Sequence, residues 1–199
     1  MIKFPKSEWI HNWGINQENA NYLYEQIIKT KPKVIIETGT FEGQGTYILA
    51  KACHDNNNQA NIYTIDYDGD PTLELDIDKW KKLKNIRDKN LKKIKEEFSN
   101  VNVIFLDGDS RIVLKTLFND YKIDKIDLFY QDSMHFEDGI RSEWTLVEPY
   151  IKKNCITIFD DLKLKGVRAF MQWFKNKYKH SFNYTEILDG HAQFVTQKV

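Results

Sequence analysis

Hydrophobic residues recur along this chain with two alternating periods. Short apolar, β-branched runs fit strands: Val34 to Ile36, Ile62 to Ile65 within 61–66, Val101 to Leu106, Ile126 to Tyr130 and Ile156 to Phe159. Between them apolar residues return at helical spacing. The first helix is predicted from about Gln17 to Thr30, with Asn16 as its cap and Pro32 as its stop. Others follow from about Tyr47 to Ala52, from Asp76 to Phe98, from Ser110 through Leu117, from about Gly139 to Lys152, and from Val167 to Tyr178. Tyr184 to Leu188 and Ala192 to Thr196 flank the turn Asp189-Gly190 and read as a hairpin.

Strand and helix in alternation predict an α/β fold. The expected sheet is open, seven-stranded and mostly parallel, with helices on both faces and a C-terminal antiparallel hairpin. One domain over 1–199 accommodates it, as a leader and helix over 1–30 followed by a core over 31–199. The leader carries Phe4, Trp9, Ile10 and Trp13 and suits either a packed staple or a lid over a ligand; its apolar residues suit packing within one chain or between two copies.

Ligands of such sheets bind beyond the carboxyl ends of the strands. The first strand ends on Glu37 and runs into Gly39, Gly43 and Gly45 before a helix starts. Glycine lets the backbone approach a ligand closely, and the helix start offers unpaired N–H groups. The spacing Gly-x-x-x-Gly-x-Gly is not the dinucleotide fingerprint Gly-x-Gly-x-x-Gly, which argues against NAD. The second strand ends on Asp66, brought to the same edge by a right-handed crossover, where an acid suits a ribose diol. Asp109, Asp132, Asp160 and Asp161 end or follow the later strands and collect there too.

Charge narrows the classes of partner. Lys plus Arg and Asp plus Glu both number 29, so the whole chain has no electrostatic bias toward nucleic acid or an anionic membrane. Nine Lys or Arg fall between 79 and 95, but on a helix with few aromatic residues this pattern is a solvated face before it is a nucleic-acid surface. No apolar run reaches membrane-spanning length, and the first residues lack the apolar core of a signal peptide, so a cytoplasmic protein is expected. Cys53 and Cys155 lack metal-type spacing and read as buried, reduced thiols.

The run Glu37-Thr38-Gly39-Thr40-Phe41-Glu42-Gly43-Gln44-Gly45-Thr46 resembles the first motif of the Rossmann-like S-adenosylmethionine (SAM)-dependent methyltransferases, in their small O-methyltransferase and cephalosporin-hydroxylase-like branch. Gly39, Thr40, Gly43 and Thr46 match the motif, while Gln44 and Gly45 depart from it. The resemblance extends from about Val34 to Thr196. It implies that Glu37 and the loop backbone hold the methionine end of SAM, Asp66 the ribose, and Asp109 with Ser110 the adenine, with Asp132 near the sulfonium and the acceptor.

Asp132-Ser133-Met134-His135 and Asp160-Asp161 resemble that branch's Asp-x-x-His element and its paired carboxylates. Three converging carboxylates, Asp132, Asp160 and Asp161, would make an oxygen-rich site for Mg²⁺ or another divalent ion. His135 would then be the base that takes the acceptor's proton, since imidazole titrates near neutrality. His191, in the hairpin, is a weaker candidate to face the pocket. The expected function is methyl transfer to a hydroxyl of a sugar or other small metabolite. A non-catalytic cofactor-binding module and an NAD-dependent oxidoreductase or sugar-modifying enzyme are the alternatives.

Overall fold

The computed structural model describes residues 15–67, 77–188 and 192–199, without the side chains of residues 77, 79 and 80. The leader with Trp9 and Trp13, the loop over 68–76 and His191 lie outside the described residues.

The described elements follow in the order α1 (Gln17–Thr30), β1 (Val34–Thr38), α2 (Gln44–Asp55), β2 (Asn61–Asp66), α3 (Ile77–Glu97), β3 (Asn102–Asp107) and α4 (Ser110–Asn119). Then come β4 (Ile126–Gln131), α5 (Glu137–Val147), a 3₁₀ turn (Glu148–Tyr150), β5 (Ile151–Phe159), α6 (Lys165–Lys177), β6 (Phe182–Ile187) and β7 (Gln193–Lys198). The seven strands form one sheet in the order β3-β2-β1-β4-β5-β7-β6. Strands β1 to β5 pair in parallel, whereas β7 runs antiparallel to both β5 and β6. This is the expected open sheet with its terminal hairpin, and its order reverses between β1 and β4.

The central strands are buried on both faces, and period two sends their alternate residues to opposite sides. Ile35 and Ile36 point to opposite sides, as do Leu128 and Phe129, Ile158 and Phe159, and Val195 and Phe194. One side is filled by Leu23 and Ile27 of α1, Leu49 of α2 and Leu91 and Ile94 of α3. The other takes Leu114 and Leu117 of α4, Ile140 and Trp144 of α5, and Phe170 and Phe174 of α6. Trp144 is the hub of that second layer: its ring meets Phe159, Phe174, Tyr178 and Phe182 edge-on, and its Nε1 donates to the Tyr178 hydroxyl at 2.9 Å.

Helix ends follow local chemistry. The Asn16 side chain accepts from the Asn19 N–H at 2.9 Å to start α1, which ends on left-handed Lys31 just before Pro32. The helix expected to reach Lys152 stops at Val147 instead, because Pro149 lacks the N–H a continuing helix needs. Strand β5 accordingly begins at Ile151, earlier than its apolar run suggests. Its polar stretch Lys152-Lys153-Asn154 is exposed and accommodated by an irregularity in the pairing with β4. In α3 the side chains of Leu83, Arg87, Leu91 and Ile94 face inward, with the Arg87 guanidinium 4.1 Å from the Phe105 ring centroid, and most of its lysines are exposed. No described helix is long and apolar enough to cross a membrane.

Candidate functional site

At the point where the strand order reverses, the β1–α2 loop turns over the carboxyl ends of β1 and β4. Gly39 has φ of +93° and lies so close to β4 that a Cβ there would overlap the backbone carbonyl of Asp132. Gly43 has φ of +89° and forms the left-handed cap of α2. Gly45, where the motif departs from the usual form, has a physical reason: a Cβ there would overlap Oε1 of Glu37. The loop is pinned from both sides. Asp66 at the end of β2 accepts from the N–H of Phe41 at 2.6 Å and of Tyr67 at 2.8 Å, and Asn90 of α3 donates to the Glu42 carbonyl at 2.8 Å.

Glu37 is fully buried beneath this loop. Its Oε2 accepts from Thr46 at 2.5 Å, and Thr46, Thr64 and Thr40 continue a chain of hydroxyls at 3.2 and 2.6 Å. Thr40 and Thr46 therefore serve the loop's interior. Oε1 of Glu37 is buried without a hydrogen-bond partner and faces Gly45 in the first turn of α2. Burial pushes this carboxyl up to about 8, against the pull of the Thr46 and Thr64 hydroxyls.

Beyond β4 and β5 the acids sort themselves by contact. Asp132, His135 and Asp161 each offer one ligand atom, and these atoms lie within 4.8 Å of one another. His135 Nε2 sits 3.2 Å from Asp161 Oδ2 and 3.6 Å from Asp132 Oδ1, is itself buried, and makes no aligned hydrogen bond. Burial opposes a proton on His135, but the carboxylates of Asp132, Asp161 and Asp160 outweigh it and hold the imidazole above its usual value. Asp132 is raised by burial and by the charge of Asp160, with His135 opposing.

The converging trio differs from the expected Asp132, Asp160 and Asp161, because His135 takes the third place. Asp160 is engaged behind it: Oδ1 accepts from Asn19 Nδ2 at 3.0 Å and from the Asp161 N–H at 2.9 Å, and Oδ2 from the Tyr130 hydroxyl at 2.7 Å. Asp161 has φ of +57°, so the chain turns there and aims successive carboxylates differently.

The expected adenine contacts are placed at the start of α4 but are already paired. Asp109 caps the helix, accepting from the Arg111 N–H at 2.9 Å and pairing with its guanidinium at 2.9 and 2.5 Å; that pairing holds its carboxyl below the usual range. Ser110 donates its hydroxyl to Oε1 of Glu143.

The sequence from 36 to 162 matches the family model of the methyltransferase domain, which is well over half of the chain. The chain belongs to that methyltransferase family. No curated protein matches its sequence. Among solved structures it is similar to an O-methyltransferase from Bacillus cereus in complex with SAH, with TM-score 0.72, 13% identity, and 95% of this chain and 84% of that one covered. It is also similar to the O-methyltransferase TomG from Streptomyces achromogenes, involved in tomaymycin synthesis and solved with SAM, with TM-score 0.71, 15% identity and coverage of 94% and 82%. A third is CalS11, a TDP-rhamnose 3'-O-methyltransferase of calicheamicin biosynthesis, with TM-score 0.62, 18% identity and coverage of 89% and 76%. At these identities the likeness is one of fold.

The methyltransferase also contains site groups that its sequence pattern does not announce. Tyr130 is fully buried in β4, with its hydroxyl 2.7 Å from Asp160 and 3.3 Å from Asp132, and burial together with those charges holds its pKa well above the usual value. Asn19 reaches Asp160 from α1. Glu143, in the middle of α5, is fully buried among hydroxyls. Each sits inside an element whose pattern reads as ordinary packing, so only the tertiary arrangement discloses it.

Proposed function

We propose that this methyltransferase moves the methyl group of SAM to a hydroxyl oxygen of a sugar or other small metabolite, with a divalent cation beside the acceptor. The observation that supports it most is a shared wall: Gly39 of the cofactor-type loop packs directly on the carbonyl of Asp132, one of the three converging donors. A methyl donor on the loop and an acceptor at the donor cluster would then be neighbours, and in-line positioning supplies much of the rate of such a transfer.

The residues present fit the methyl donor. Once its carboxyl is ionised, the unpaired Oε1 of Glu37 offers an acceptor to an amine, Gly39 lets the loop close onto the end of β4, and Asp66 stands at the strand end suited to ribose hydroxyls. With Asp109 and Ser110 paired within the protein, the start of α4 would meet the adenine through its backbone and its shape.

The donor set also fits a cation. Asp132, His135 and Asp161 would hold it, and an imidazole beside two carboxylates favours a transition ion such as Mn²⁺ over Mg²⁺. A cation there supplies Lewis acidity that lowers the pKa of a bound hydroxyl. His135 can act as donor or as base, since both roles use Nε2. Asp160 supports the cluster through Tyr130 and Asn19. The two buried thiols suit a reducing compartment, and we place the enzyme in the cytoplasm.

Calorimetric titration of the metal-free protein tests this reading, with SAH, NAD, Mg²⁺ and Mn²⁺ as separate ligands. SAH should bind in preference to NAD and weaken by roughly tenfold or more in Asp66→Ala, as expected for loss of charge-assisted hydrogen bonds. Mn²⁺ binding should disappear in Asp161→Ala. His135→Ala assigns the histidine: lost Mn²⁺ binding makes it a donor, whereas retained binding with lost turnover makes it the base. Binding of NAD but not SAH would overturn the reading, and SAH binding with no methyl transferred from labelled SAM to a sugar and phenol panel would favour a non-catalytic module.

A further inference from the structure

The mechanism above makes no use of Glu143, yet this carboxylate is fully buried at the centre of the strand-end edge. Its Oε1 accepts from two serines on different segments: Ser110, the first residue of α4, and Ser133, in the loop that follows β4, the latter at 2.7 Å. Its Oε2 lies 3.4 Å from the Thr38 hydroxyl at the end of β1. Ser133 belongs in turn to a closed loop, because Gln131 donates to the Met134 carbonyl at 2.9 Å and approaches the Ser133 hydroxyl at 3.4 Å. Burial pushes the carboxyl up, while donation from Ser110, Ser133, Gln131 and Thr38 pulls it back. A group so costly to bury is held by donors from three separate strand ends.

We propose that Glu143 is a positioning residue that locks the start of α4 to the loop carrying Asp132 and His135, so that the cofactor side and the acceptor side of the site move as one body. The inference rests on the methyl-transfer reading for what those two sides hold. The geometry supplies the link: α4 and the β4 loop share one buried oxygen. With either serine left in place, Oε1 keeps a donor. With both removed, Oε1 is a buried acceptor stripped of its serine donors, and leaving a buried acceptor unsatisfied costs more than losing one of two hydrogen bonds.

That asymmetry defines the test. SAH affinity is measured by calorimetry in the wild type, Ser110→Ala, Ser133→Ala and the double variant, well below their melting temperatures. Each single change should weaken binding by about threefold, and the double change by roughly thirtyfold or more, beyond the product of the two. In parallel, amide hydrogen exchange of the ligand-free protein is followed in Glu143→Ala and in Glu143→Gln, which keeps an oxygen for both serines. Exchange should quicken in both 110–113 and 133–136 in Glu143→Ala, with the centre of β3 unchanged, and Glu143→Gln should restore most of the protection.

Multiplicative serine effects, or loosening of only one segment in a folded Glu143→Ala, would overturn the proposal. If Glu143→Ala does not fold, the serine pair and the glutamine variant still decide it. A wild type that binds no SAH would sink the methyl-transfer reading by itself, and the exchange measurement would still decide whether the two segments are coupled.

Discussion

Glu37 holds its proton to an unusually high pH because it is sealed under the loop, with Thr46 on one oxygen and no partner on the other; its carboxyl titrates at about 8 against 4.5 for an ordinary glutamate. The sign of the consequence is fixed. Between those two values the folded chain keeps a proton the unfolded chain has released, so this group's stabilisation is full below about pH 4.5 and is lost as pH rises through about 8. Glu37→Gln removes the titration while keeping an oxygen for Thr46. Chemical denaturation at a series of pH values should show the variant's stability–pH slope to be flatter than the wild type's by up to about 1.4 kcal/mol per pH unit across that window. An unchanged slope would mean that Glu37 is ionised in the folded protein. The sequence discloses Glu37 and Asp66 because an acid ending an apolar strand before a glycine loop is a local pattern. It does not disclose which oxygen is paired, since that depends on Gly45 leaving room and Thr46 turning inward.

Helices contribute to the site from positions that look like plain packing surfaces. Asn19 lies on the first turn of α1 and Glu143 in the middle of α5, where a polar residue reads as part of a solvent face; the buried side of each helix is known only once it is docked on the sheet. The same limit explains why the convergence of Asp132, His135 and Asp161 is not read from the sequence. Asp160 and Asp161 are adjacent in sequence and indistinguishable there, but Asn19 and Tyr130 claim the first while the turn at Asp161 carries the second toward His135. The strands themselves and the glycine loop are legible because they depend on local period and spacing, whereas the order of the strands is a tertiary fact. Helix α5 ends before its apolar pattern does, because Pro149 overrides that pattern. Element α1 can be tested directly: Asn19→Ala removes a hydrogen bond from α1 to Asp160 and should cost about 1.5–3 kcal/mol, the range for a hydrogen bond to a charged group, as measured by urea unfolding. A loss below about 0.5 kcal/mol would show that Asp160 is satisfied without its contact to α1.

For the whole molecule, the sheet and its two helical layers form the larger share of the buried structure, while the site occupies one edge at the reversal between β1 and β4. A ligand at that edge contacts the ends of several strands at once, so it stabilises the folded state without favouring the unfolded chain. Linkage then sets the size of the effect: SAH at about a hundred times its dissociation constant adds about 2.7 kcal/mol. For a protein of this length each kcal/mol moves the melting temperature by about 2–4 °C, so the expected rise is roughly 5–11 °C. The rise should grow with the logarithm of SAH concentration and shift to higher concentrations in Asp66→Ala, whose loop contact to Phe41 is lost along with the proposed ribose acceptor. NAD at the same concentrations should move the melting temperature far less. A wild type that melts at one temperature with and without millimolar SAH has no such ligand at the β1–β4 edge, and the glycine loop, the unpaired Glu37 oxygen and the family's chemistry would then have to be separated.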